Sequence, residues 1–186
     1  MAAKDAAITM LTDQRGSMSR ISSEVLIGAE ARVRAMDLKQ KEELADDLYR
    51  EQPHVLASFL VQKRLGVSVV KMEFLIELML ICFQAMKDSG ITWPLITEAD
   101  QDLQLARWVG SLRTWELLSE DLRTQELKRY IDAHPEKVLF AYVHTEVARW
   151  LQRVAPEESD KYVALVAMNF VNCISFVALP TPEKAK

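Results

Sequence analysis

Residues 71–88 read KMEFLIELMLICFQAMKD, the most hydrophobic stretch of the chain, yet Glu73 and Glu77 sit inside it. Such a segment has three fates: a membrane span, a core helix, or a surface awaiting a partner. A span needs about 20 consecutive apolar residues, and the longest unbroken apolar run here is Leu78 to Phe83. A carboxylate at the centre of a bilayer costs about 3 kcal/mol on insertion scales. Membrane insertion is therefore excluded for this stretch.

Glu73, Glu77, Gln84 and Asp88 recur at intervals of four, seven and four. That spacing places all four on one stripe of a helix. Apart from Lys71 and Lys87, the rest of the circumference is apolar, and a helix of that kind is buried on several sides. A second such rod, VALVAMNFVNCISFVAL, occupies residues 163–179. Both compete for the inside of a chain of 186 residues. If either also faces outward, the exposed patch exceeds the few hundred square ångströms usual for a monomer. That surplus leads to the expectation of a homodimer.

Few turn residues are present, with five Gly and six Pro, and long segments are rich in the helix formers Ala, Leu, Glu, Lys and Arg. The expected fold is all-α, a compact orthogonal or bundle arrangement of about seven to nine helices. Ser19 or Ser22, Asp37 and Thr97 can cap helices, and Asp100 lies three residues beyond Thr97 in a capping-box position. Pro53 suits a first helical turn and Gly66 a stop. Within the resulting segments the expected inner positions include Leu26, Ala29 and Val33, then Leu38, Leu44, Leu48 and Tyr49. They continue with Leu56, Phe59, Leu60 and Val61, then Leu105, Trp108, Leu112 and Trp115. Pro135 is expected to open a helix through Val138, Leu139, Tyr142, Val143 and Val147.

Residues 1–18 read as an N-terminal segment, loosely docked and with a short helix from Ala2 to about Gln14. Residues 19–179 read as a single all-helical domain, and 180–186 as a flexible tail. LYREQPHVLASFL and YIDAHPEKVLFAYV echo one another weakly, each leading through a proline into a hydrophobic helix. The echo admits two similar three-helix halves, although its period is not strict.

A net charge of −4 with the two signs interspersed argues against nucleic acid as a partner. Cys82 and Cys173 lie in apolar helical segments and read as buried reduced thiols. The opening MAAKDAAITM meets Asp5 at once and lacks the form of a secretory leader, from which a cytoplasmic location is expected.

No phosphate-binding glycine loop is present, and GVSVV lacks the second glycine of a nucleophile elbow. Glu51 and His54 match the Glu-x-x-His spacing of di-iron bundles, but Pro53 intervenes and no second copy exists. No metal or cofactor is expected, and no catalytic residue. Four residues stand as contacts for a ligand or partner. Glu73 and Glu77 form a four-spaced carboxylate pair, which more often marks a water-facing edge. Asn169 and Asn172, with Ser175, share one face of an apolar helix, where an amide either joins a satisfied network or lines a pocket. The expected function is that of a non-enzymatic cytoplasmic interaction or regulatory protein that self-associates and binds a protein partner. The alternative is a bundle that holds an apolar small molecule or lipid between its helices.

Overall fold

In a computed structural model, residues 19–179 are described, and among them the chain forms eight α-helices, one 3-10 helix and no strand. The helix expected within residues 2–14 and the tail 180–186 lie outside the described residues. Helix α1 spans Ser23–Ala35, α2 Leu38–Glu51 and α3 Pro53–Leu60, followed by the 3-10 turn Val61–Leu65. Then come α4 Val69–Asp88, α5 Glu98–Glu116, α6 Glu120–Ala133, α7 Lys137–Leu151 and α8 Asp160–Phe176.

The boundaries follow local chemistry. The Ser22 hydroxyl accepts the Val25 N–H at the start of α1. Asp37 and Gln40 form a reciprocal capping box, as do Thr97 and Asp100, and each satisfies two backbone donors that the first turn would otherwise leave free. Pro53 occupies the first turn of α3. Gly66 ends the 3-10 turn at φ 89°, a left-handed conformation that costs glycine little.

Helices α4 and α8 pack against each other at the centre and are enclosed by the rest. α1, α2 and α3 cover α4, while α5 and α7 flank α8. Residues 71–88 therefore belong to a core helix: from Leu78 to Met86 every residue is buried. The glutamate stripe is its wet edge only in the first half. Glu73 is exposed and Glu77 half-buried, but Gln84 is buried and donates to Asp88 at 2.8 Å. Asp88 also meets Arg32 of α1 at 3.2 Å. In α8 all residues from Val166 to Ser175 are buried. Phe59 of α3 meets Phe170 of α8 edge-on, with centroids 5.7 Å apart. An aromatic cluster ties α5, α6 and α7 together: Trp108 contacts Trp115, Tyr130 and Phe140 at centroid distances of 5.4–5.7 Å.

Several expected inner positions point outward. Leu38 and Tyr49 are 74% and 67% exposed, because the inner arc of α2 is only Leu44 and Leu48. Leu60 and Val61 are also exposed; the buried stripe of this segment is Val55, Phe59 and Gln62, three to four residues apart. The helix expected at Pro135 begins at Lys137, since Glu136 turns its carboxylate back into the core. Cys82 and Cys173 are buried and unpaired, as expected. No helix among the described residues is long and apolar enough to cross a membrane.

Candidate functional site

The four residues singled out from the sequence fall in three separate places. Glu73 and Glu77 line an open groove of about 440 Å³ between α2 and α4. Leu38, Lys41, Glu42 and Ala45 come from α2, and Glu73, Ile76, Glu77 and Leu80 from α4. Each set spans eight residues with three- and four-residue steps, so each is one stripe of its helix. The two stripes line one groove, to which they supply four apolar side chains and four charged ones. Leu80 is buried at its floor and Leu38 stands out at its edge. Lys41 reaches across to Glu77 at 3.7 Å, and Arg34 of α1 approaches the same carboxylate at 3.8 Å. Among the residues lining the groove, one positive charge stands against three negative ones.

Asn169 and Asn172 share a face of α8 but serve different neighbours. The Asn172 carbonyl accepts from the His134 imidazole at 3.1 Å and from the Tyr130 hydroxyl at 3.4 Å. The other ring nitrogen, His134 Nδ1, accepts the Glu136 N–H at 3.2 Å. An acceptor at Nδ1 leaves the proton on Nε2, which is the tautomer that can donate to Asn172. Burial pulls the imidazole below its ordinary pKa, against the opposing pull of Asn172 and the Glu136 backbone, so the neutral ring suits the site. This is a closed structural network joining α6 to α8.

Beside it, Glu136 is 0% exposed and holds the start of the described chain. Its two carboxylate oxygens accept the backbone N–H groups of Arg20 and Ile21 at 2.8 and 3.2 Å. Arg20 in turn donates to the carbonyls of Ile174 and Val177, at 3.4 and 3.1 Å, closing the C-terminal end of α8. Burial raises the Glu136 pKa, although both N–H bonds and the Arg20 charge pull it down.

Asn169 instead belongs to a cleft of about 320 Å³ among α3, the 3-10 turn, α5 and α8. Its amide nitrogen donates to the Gln101 carbonyl at 3.1 Å. Gln62 lines the same cleft, and its amide nitrogen donates to the Ser58 carbonyl at 2.8 Å. Neither side-chain oxygen, Gln62 Oε1 or Asn169 Oδ1, has a hydrogen-bond partner, and both are shut off from solvent.

One further charged group escaped the sequence reading. Lys71, which stood in the sequence as one of two exceptions on the apolar circumference, is 2% exposed. Its ammonium is spent on Asp160, on Glu157 at 3.3 Å and on the Ala155 carbonyl at 3.1 Å, which clamps α4 to the start of α8. Desolvation pulls its pKa down, but the bonds and charges of Asp160 and Glu157 outweigh that and hold it above the ordinary lysine value. Conversely, burial pushes Asp160 up, while the Lys71 bond, helped by the Glu157 N–H, brings it below the usual carboxylate range. All three donors are engaged, so this lysine has the chemistry of a staple rather than of a nucleophile.

Gln62, Lys71 and Glu136 are among the buried polar residues that the sequence reading missed, together with Gln52, Gln104 and His134. Each of the first three carried a local signal in its spacing: Gln62 follows Phe59 by three residues, Lys71 precedes Leu75 by four, and Glu136 precedes Leu139 and Phe140 by three and four. His54 lies beside Glu98 at 3.3 Å, away from a second histidine ligand. Among the described residues no group of three or more His, Cys, Asp or Glu side chains converges as a metal cage would require. Compared with protein families, curated proteins and solved structures, the chain finds no match in any of the three.

Proposed function

We propose that this chain is a non-enzymatic interaction protein that receives a basic amphipathic helix of a protein partner in the α2–α4 groove. The observation that carries the reading is the composition of that groove. Two helical stripes present Leu38, Ala45, Ile76 and Leu80 between them, and the rim bears three carboxylates against one lysine. An apolar helix face laid into such a groove buries its anchors at three- and four-residue spacing. Lysines or arginines flanking those anchors would meet Glu42 and Glu73, and would speed encounter more than they strengthen the complex.

The acidic rim also bears on self-association. A two-fold dimer through this groove sets the same surface against itself, and so opposes carboxylates to carboxylates. With both apolar rods enclosed in the core, self-association would rest on another exposed face. Exposed Leu60, Val61, Leu65, Val69 and Val70 are the apolar side chains available around the start of α4. Sedimentation at micromolar concentration tests that part separately: a monomer mass removes the dimer and leaves the groove reading standing.

Site-specific photocrosslinking tests the groove itself. A photoreactive residue at Leu38 should give adducts with a partner in cells, and the crosslinked peptide should be a helix with basic flanks. The same residue at Leu117, exposed on the far end of α5, should give none with that partner. Ile76→Glu should abolish the Leu38 adduct. Equal adducts from both positions, or an adduct that survives Ile76→Glu, would defeat the proposal.

A further inference from the structure

The geometry points to a binding site for a small organic ammonium in the cleft formed by α3, the 3-10 turn, α5 and α8. It is built from other helices than the α2–α4 groove and stands independently of that reading.

The inference starts from two oxygens. Gln62 and Asn169 are 8% and 7% exposed, and both line this cleft. In each, the amide nitrogen donates to a backbone carbonyl, of Ser58 and Gln101 respectively. A carbonyl accepts and cannot donate, so those bonds decide which end of each amide is oxygen. Rotating either amide by half a turn would set oxygen against oxygen. The unpartnered atoms are therefore acceptors in both cases, and two buried acceptors that lack a donor in one place are uncommon in a folded protein.

The remaining lining supplies a third acceptor, an apolar wall, and two side chains that can donate or accept, Gln101 and Tyr162. Asp102, exposed, contributes a carboxylate, while Val61, Leu105 and Leu165 contribute hydrocarbon. The Ser58 hydroxyl offers no free donor, being bound to the Val55 carbonyl at 2.7 Å. A molecule matched to this set carries donors and no acceptors at its head, and a short apolar body. A primary ammonium has three N–H donors, no acceptor and a charge opposite to that of Asp102. A carboxylate or phosphate head would oppose the Asp102 carboxylate and both amide oxygens, with the Gln101 amide and the Tyr162 hydroxyl as the donors left to it. The volume, about 320 Å³, lies at the small end of ligand sites, which suits an alkylammonium better than a lipid. Reaching the two oxygens takes a rotamer change in the lining, where Leu65 is among the least packed side chains.

The test uses the whole chain and three probes with one body and different heads: n-hexylammonium, n-hexanol and n-hexanoate. Calorimetric titration should show hexylammonium binding at least about tenfold more tightly than hexanoate, with hexanol between them. The side-chain amide resonances of Gln62 and Asn169 should shift on hexylammonium addition and remain still with hexanoate. Asn169→Leu should weaken hexylammonium binding about tenfold, the value of one bond to a charged donor, and leave hexanol binding unchanged or tighter. Asp102→Asn, on the surface and harmless to folding, should weaken hexylammonium alone and reduce its salt dependence. Equal binding of hexanoate and hexylammonium would overturn the site. So would indifference of hexylammonium binding to Asp102→Asn, or no saturable binding at millimolar concentration.

Discussion

Glu136 offers the sharpest test of how the fold is held at its ends. Its carboxylate is fully buried and accepts two backbone N–H groups from residues more than a hundred positions earlier in the chain. Glu136→Ala leaves both donors without an acceptor, and Ile21, one of the donors, is itself fully buried. A hydrogen bond to a charged group contributes about 1.5–3 kcal/mol, so the two together contribute about 3–6 kcal/mol. Removing the buried charge relieves part of its desolvation, which leaves a net loss of about 2–4 kcal/mol. For a chain of this size that loss lowers Tm by about 4–16 °C. Glu136→Gln keeps one accepting oxygen and sets an NH₂ group against the other donor, so it should lose about half as much. Urea melts followed by far-ultraviolet circular dichroism read both values, with an unchanged m showing that only stability moved.

The pH dependence supplies an independent check. Burial raises the folded pKa of Glu136 above the unfolded value of about 4.3. Between those two values the folded state binds the proton that the unfolded state has lost, so this group's contribution falls as pH rises. This pH-dependent part is complete below the unfolded value and gone once pH passes the folded one, while the two N–H bonds remain. The stability gap between wild type and Glu136→Gln should therefore widen as pH falls toward about 4.3. The refuting result is a loss under about 0.5 kcal/mol for Glu136→Ala, the size of an ordinary surface substitution. The carboxylate would then not be what holds Arg20 and Ile21.

Three further outcomes follow from the packing. Phe140→Ala should cost about 3–5 kcal/mol, because the ring is fully buried among Trp108, Tyr130 and His134; near-ultraviolet circular dichroism of the tryptophans should weaken with it. Lys71→Met should lower the melting temperature and flatten the acid limb of stability. The depressed Asp160 pKa contributes stability above the unfolded aspartate value of about 3.9, lost as pH falls through the folded value, and the variant removes its cause. Burial pushes the Cys82 and Cys173 thiols up to about 12, so a thiol reagent at mildly alkaline pH should label neither until the chain unfolds. Fast labelling of the native protein would contradict their burial.

The sequence by itself determined the helical class, most helix boundaries and the two central rods. Those properties are local: the capping boxes at Asp37 and Thr97, Pro53 and Gly66 each act within a few residues. The apolar circumference of residues 71–88 and 163–179 demands shelter whatever surrounds it. Only the tertiary structure decided which polar groups lie inside. Lys71 is buried because Asp160, 89 positions on, arrives opposite it, and Glu136 because Arg20 and Ile21 do. Asn169 and Asn172, alike in sequence, part company because one faces α5 and the other α6. A one-dimensional pattern gives the face on which a residue lies, and the neighbour that meets that face is set by how the other helices pack. For a polar side chain that neighbour decides everything, since burial is costly without a partner and cheap with one.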